Sequence, residues 1–107
     1  MSTVKRLFIP LKTEYYRQFE AGTKTKELRL YGPQWNERTC VVGRPVTIAL
    51  GYGKKHRMSG VVAGFEKVWA YNLDEQSRAA VKAVYYTLDK EMAVITLADL
   101  TPGDITT

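Results

Sequence analysis

Within eight residues, Gly22 to Arg29 brings together Lys24, Glu27, Arg29 and the hydroxyls of Thr23 and Thr25. An amine whose pKa is depressed by burial can act as a general base, although a carboxylate beside it opposes that shift. The hydroxyls of Thr23 and Thr25 are groups that such a base could activate. Glu27 and Arg29 are two residues apart, so on a strand they share a face and can form a charge-assisted pair. Lys24 precedes the alternating pattern, in a turn from which its amine reaches either face. The plainer alternative is an exposed strand with a surface ion pair worth ~0–1 kcal/mol. Spacing by itself favours that plainer reading.

Other chemistry is sparser. Gly51-Tyr52-Gly53 leads into the basic run Lys54-Lys55-His56-Arg57. The run lacks the spacing of a phosphate-binding loop and no helix follows it, so it reads as a hairpin tip. Lys54, Lys55 and Arg57 are candidate phosphate contacts, against a solvated turn as the alternative. Tyr31, Trp35 and Trp69 are the aromatics least committed to a core. A base stacked on such a ring gains ~1–3 kcal/mol. Trp69, between Val68 and Ala70, reads as a cover for one end of a barrel, whereas Trp35, in a polar loop, is the better stacking candidate. One histidine and one cysteine make no familiar metal site, and no cofactor is implied. Cys40 beside two valines reads as a small buried hydrophobe.

The elements that would position these groups fit one domain spanning residues 1–107, long enough for one modest core. Residues 1–57 carry twelve Lys/Arg against four Asp/Glu, a net of +8, and residues 58–107 carry four against seven, a net of −3. A polarised basic half attracts phosphates or other anions, and net charge of this size also serves plain solubility. No apolar run approaches the ~20 residues that span a bilayer, and the first residues lack a signal-peptide pattern, so a cytoplasmic protein is expected.

Val4 to Leu11 reads as a strand. Thr13 has the side chain of an N-cap for a helix in which Tyr15, Tyr16 and Phe19 turn inward, with Gly22 closing it. Thr25 to Tyr31 alternates as a half-buried strand, Leu28 and Leu30 on one face and Thr25, Glu27, Arg29 and Tyr31 on the other. Gly32-Pro33 ends it, and a loop through Trp35 follows. Val41-Val42 is a candidate short strand. Val46 to Leu50 and Met58 to Val68 are strands, the latter with Gly60 and Gly64 as bulge or close-packing points. Asn72 and Glu75 stand at capping-box spacing for a helix over Leu73 to Tyr85, with Ala80, Val84 and Leu88 as its apolar stripe. Met92 to Leu97 is the last strand, followed by a turn at Thr101-Pro102-Gly103 and a frayed tail. The expected class is α+β, mainly β: a small barrel or curled sheet of five to six strands with two flanking helices.

Gly22-x-Lys24-x-x-Glu27-x-Arg29, lying after a short helix and before a strand-rich segment, resembles the G-x-K-x-x-E-x-R signature of ASCH domains, which belong with the PUA-like β-barrels. Val42-Gly43 ahead of Val46-Thr47-Ile48, and the closing Ala93-Val94-Ile95-Thr96-Leu97, are similar to further segments of that family in the same order. The resemblance covers roughly Val4 to Leu97. It implies a cleft floored by Lys24, Glu27 and Arg29 that faces RNA, a nucleotide or a nucleoside. Family members include N4-acetylcytidine amidohydrolases and reported ribonucleases, so hydrolysis is the alternative to binding. Lys24 matches the amidohydrolase lysine, Glu27 stands where those enzymes place a threonine, and Glu75 is a loose counterpart of a distant glutamate. Thr25, Tyr31 and Trp35 complete the expected binding set, with Lys24 and Glu27 as the expected catalytic pair. The oligomeric state is left open.

Overall fold

The structure, a computed structural model, describes residues 5–103. Five strands and two helices follow in the order β1 (Leu7–Leu11), α1 (Thr13–Ala21), β2 (Lys26–Leu30), β3 (Pro45–Leu50), β4 (Arg57–Trp69), α2 (Glu75–Tyr85) and β5 (Glu91–Pro102), with one 3-10 turn at Ala70–Asn72 before α2. The strands form a single curled sheet in the order β1-β3-β4-β5-β2, parallel between β1 and β3 and antiparallel elsewhere. This is the expected α+β, mainly β architecture. Val41 and Val42 are not a strand: they lie exposed in a turn, and Gly43 and Arg44 instead tie this segment to Val62 and Val41 by backbone hydrogen bonds. Val4 and the tail beyond Gly103 lie outside the described residues.

Helix boundaries follow local polar groups. The N-cap of α1 is Lys12, with no side-chain cap, and Thr13 is the first helical residue. Gly22 ends α1 at φ 79°, a left-handed conformation that costs glycine little, and its N–H donates back into the last turn. The cap of α2 is Asp74, whose Oδ1 accepts from the Ser77 backbone N–H at 2.8 Å, so the capping pair is Asp74–Ser77 and not Asn72–Glu75. The expected apolar stripe is also rotated: Val81 is the buried residue of α2, Val84 is exposed, and Leu88 packs from beyond the helix end.

Curvature is concentrated in β4. Its pairing with β5 shifts register between Ser59 and Val61 and again between Val62 and Gly64, bracketing Gly60 and reaching Gly64. A side chain at Gly60 would put its Cβ 2.5 Å from the Ala98 carbonyl oxygen and 2.8 Å from Leu100 Cδ2. The sheet bends here because the two backbones come closer than any other residue allows.

Inside the curl, Ile9, Val46, Ile48, Val62 and Ile95 form the main core, with Tyr16 and Phe19 of α1 packed against it. A second, smaller cluster lies on the outer face, where Val81 of α2 meets Ala70 and Met92, flanked by Leu28 and Leu30 of β2. Cys40 is buried in the main core. Both faces of β2 are therefore covered. Replacing Gly60 by alanine should lower the free energy of unfolding by about 1–3 kcal/mol, because the clashing partner is backbone. Gly32→Ala, where a Cβ meets nothing within 4 Å, should stay within roughly 0.5 kcal/mol of wild type. Urea denaturation of the two variants checks this, and equal stabilities would show that β4 and β5 are not in close contact at Gly60.

Candidate functional site

Register decides where the charged octet ends up. Glu27 pairs opposite Ile95 and Arg29 opposite Ala93, so their side chains share the face that carries the main core. Leu28 and Leu30 take the other face, toward α2. Period two correctly separates the two sets, but the polar set is the inward one. Glu27 is only 7% exposed, against the exposed strand that spacing by itself favours. It survives there because Arg29 Nε donates to its Oε2 at 2.8 Å. Arg29 is itself engaged on three sides. Its Nη2 donates to the Pro10 carbonyl on β1 at 2.7 Å, and its guanidinium carbon lies 5.0 Å from the centroid of the Trp35 ring.

Lys24 acts on Glu27 electrostatically from the turn after α1, without a direct ion pair to it. Its Nζ lies 5.4 Å from the Tyr15 ring centroid and 5.5 Å from that of Phe19. Lys24 and Glu27 together line a cleft of about 130 Å³ at the free edge of β2. Tyr15 of α1 forms one wall, Ala80, Val84 and Tyr85 of α2 the other, and Leu28 and Met92 line it from the sheet. Burial raises the Glu27 pKa above that of an ordinary glutamate, outweighing the opposing pull of Arg29 and Lys24. The cleft thus offers one cation and one desolvated carboxyl between mostly apolar walls. Lys24 also borders a second depression, lined by Asp74 and Ser77 at the start of α2. Glu75 lines neither cavity and is exposed.

The other expected residues separate from this pair. Arg29 holds Glu27 but lines a different groove, on the side of Lys12 and Tyr52, so the three motif residues do not floor one cavity. Thr25 is exposed, lines neither of the cavities that Lys24 borders, and its carbonyl accepts from the Leu97 N–H. Thr23 Oγ1 donates to the Gln18 carbonyl at 3.2 Å. Tyr31 is committed: its hydroxyl donates to both oxygens of Glu37, at 2.8 and 2.7 Å, and the Lys67 ammonium lies 4.4 Å from its ring centroid. That hydrogen bond raises the Tyr31 pKa and lowers that of Glu37.

Trp35 is buried, which removes it as an open stacking surface. The loop that carries it is pinned by buried Asn36. Its Nδ2 donates to the Gly32 and Pro33 carbonyls, and its Oδ1 accepts from the Arg38 and Thr39 N–H groups. Trp69 reverses the expectation in the other direction: it is 40% exposed and stacks on Tyr71 at 5.8 Å instead of closing the barrel. Lys54 and Lys55 are exposed in the β3–β4 turn, away from the Lys24–Glu27 cleft. Arg57 donates from Nε to the Gly53 carbonyl and lies 5.1 Å from the Phe8 ring centroid. Sequence reasoning missed the α2 wall, because a helix fifty residues downstream supplies it. The inward face of α1 meets the main core, and Tyr15 at its margin also lines the cleft.

No protein-family model matches the chain, and no curated protein sequence matches it significantly. Among solved structures, the chain is similar to ZmASCH from Zymomonas mobilis. A serine-to-alanine mutant of that protein aligns with a TM-score of 0.64 at 17% identity, covering 95% of this chain and 73% of the other. A tyrosine-to-phenylalanine mutant aligns with a TM-score of 0.61 at 17% identity, covering 89% and 70%. The chain therefore has an ASCH-like fold.

Two outcomes follow from the buried pair. Arg29→Met should cost roughly 3–5 kcal/mol in chemical denaturation, since it strands a buried carboxylate, and adding Glu27→Leu should recover much of that loss. A double variant no better than the single would show that the two residues are not coupled. The raised Glu27 pKa means that the folded state holds this proton more tightly than the unfolded state. Its stabilising effect is complete below the unfolded glutamate value of about 4.3 and is lost as pH rises through the higher folded value. Wild-type stability measured relative to Glu27→Gln should therefore fall with rising pH across that window. A flat difference would mean that burial does not dominate at Glu27.

Proposed function

We propose that this ASCH-like domain binds a nucleoside or nucleotide, free or within RNA, through the cleft that holds Lys24 and Glu27. The observation that carries this reading is the pairing of an amine and a desolvated carboxyl in one small, mostly apolar cleft. A cavity of about 150 Å³ accommodates a benzene ring, so about 130 Å³ suits one six-membered ring better than a drug-sized ligand. A pyrimidine base fits that description. Glu27 would accept from an exocyclic amine, as carboxylates do from cytosine N4, and Lys24 would donate to a neighbouring ring oxygen or nitrogen. Arg29 acts as a positioning residue that fixes the carboxylate from behind. Lys54 and Lys55 would serve as phosphate contacts on a separate face.

The donor and acceptor order favours cytosine over uracil, whose O4 would meet Glu27 with a second acceptor. In NMR titrations cytidine should perturb the amides around Lys24, Glu27 and Val81, and bind about tenfold more tightly than uridine, the value of one good hydrogen-bond discrimination. Glu27→Gln should erase that preference. Equal binding of the two nucleosides by the wild type, or shifts confined to other regions, would overturn the assignment.

The raised pKa of Glu27 also favours a hydrolytic reading, since a carboxyl that titrates nearer neutrality is better matched to proton transfer. Here Glu27 would exchange the proton, and Lys24 would polarise the scissile carbonyl or act as the base. N4-acetylcytidine is the substrate to try. Turnover by the wild type that disappears in both Lys24→Ala and Glu27→Gln supports this, and turnover that persists in either removes that residue from the chemistry.

A further inference from the structure

The groove on the far side of the Arg29–Glu27 pair has a different chemistry from the cleft. It measures about 520 Å³ and runs between the end of β1, the start of α1 and the turn after β3. Lys12, Thr13, Arg29 and Tyr52 supply its polar lining, and among the described residues no Asp or Glu lines it. Arg29 spends Nε on Glu27 and Nη2 on the Pro10 carbonyl, leaving Nη1 without a hydrogen bond among the described residues. Its side chain is 25% exposed. Tyr52 is 81% exposed, 6.1 Å from Phe8 between ring centroids, and Lys54 and Lys55 stand two and three residues further along the same turn.

We propose that this groove is a phosphate-binding site, with Arg29 and Lys12 as its cationic ligands, and that its occupancy is felt in the cleft through the shared guanidinium. A guanidinium held in place on two of its three nitrogens is pre-organised, so little rotamer freedom is lost when the third meets an oxyanion. Arg29 shares its charge with Glu27 behind the groove, and with no carboxylate in the described lining Lys12 adds a positive potential on the groove side. The coupling follows from geometry. Glu27 is faced by Arg29 on its own strand, by Lys24 from the preceding turn, by Tyr15 on α1 and by Tyr85 on α2, while Met92 of β5 is apolar. An anion on Arg29 offsets the cation hydrogen-bonded to Glu27 and makes the carboxylate easier to protonate. Linkage makes the effect reciprocal: protonating Glu27 strengthens anion binding. The site stands whether or not a base enters the cleft.

The test uses the whole chain, titrated with inorganic phosphate against chloride at matched ionic strength and followed by 1H–15N NMR. Saturable shifts are expected at Gly51, Tyr52 and the Arg29 Nε–H. Lys12→Ala should weaken binding about tenfold, the effect of losing one charge-assisted hydrogen bond, whereas Lys82→Ala, the same charge loss on exposed α2, should leave it unchanged. A short oligouridylate that competes with phosphate at these resonances identifies a nucleic-acid strand as the phosphate source. Competition by phosphate and pyrophosphate alone identifies a small anion. Either supports the site. Non-saturating shifts, equal losses in the two lysine variants, or a polyglutamate of matched length binding as tightly as phosphate would overturn it. The 13C titration of the Glu27 carboxyl, repeated with and without phosphate, should move to higher pH with phosphate, and an unmoved midpoint would overturn the coupling.

Discussion

The guanidinium of Arg29 joins parts of the fold that the backbone leaves apart. The sheet begins with β1 and ends with β2, and among the described residues no ladder closes the curl between them. Arg29, on β2, donates across that seam to Pro10 of β1, a residue whose missing N–H suits an edge position. The same group neutralises Glu27 on the core face and covers Trp35 from the loop. A single side chain therefore combines seam closure, charge compensation and loop packing. Lysine is a poor substitute, since its rotatable ammonium lacks the rigid planar fork and the flat face that here meet Glu27, Pro10 and Trp35.

This arrangement separates the polar chemistry of the molecule into two compartments. On one side, Lys24 and Glu27 meet in a small cleft walled by both helices. On the other, Arg29 and Lys12 line an open groove whose described lining contains no Asp or Glu. The ion pair is the partition. A signature that looks in sequence like one cluster of reactive groups is, in three dimensions, a wall with a different face toward each space.

Much of this was legible from the residues alone. The order of elements, the mainly β class, the glycine that closes α1 and the irregular pairing around Gly60 and Gly64 all follow from local rules that operate within a few residues. Alternation also placed Glu27 and Arg29 on one face. It could not say which face is buried, because β2 is covered on both sides and its inward set is the charged one. Trp35 misled for a related reason. Its neighbours are polar, but Asn36 turns their backbone inward and folds the loop over the core. Trp69 misled in the opposite sense, since apolar sequence neighbours said nothing about the open flank at the end of β4. The α2 wall of the cleft depends on the pairing of β2 with β5, a contact across some sixty residues that no local pattern encodes.

That long-range pairing has a consequence for how the protein is made. Among the described residues, β2 has a single partner in the sheet, β5, and β1 a single partner, β3. As the chain leaves the ribosome, β1, α1 and β2 emerge with nothing to pair against, whereas β3 and β4 can join as a hairpin as soon as both are out. The Lys24–Glu27 cleft therefore stays incomplete until β5 has been synthesised, because the strand that β2 pairs with and the Met92 side of the lining come from β5. The cleft is among the last features of the nascent protein to be completed, so its geometry exists only in chains that have reached β5.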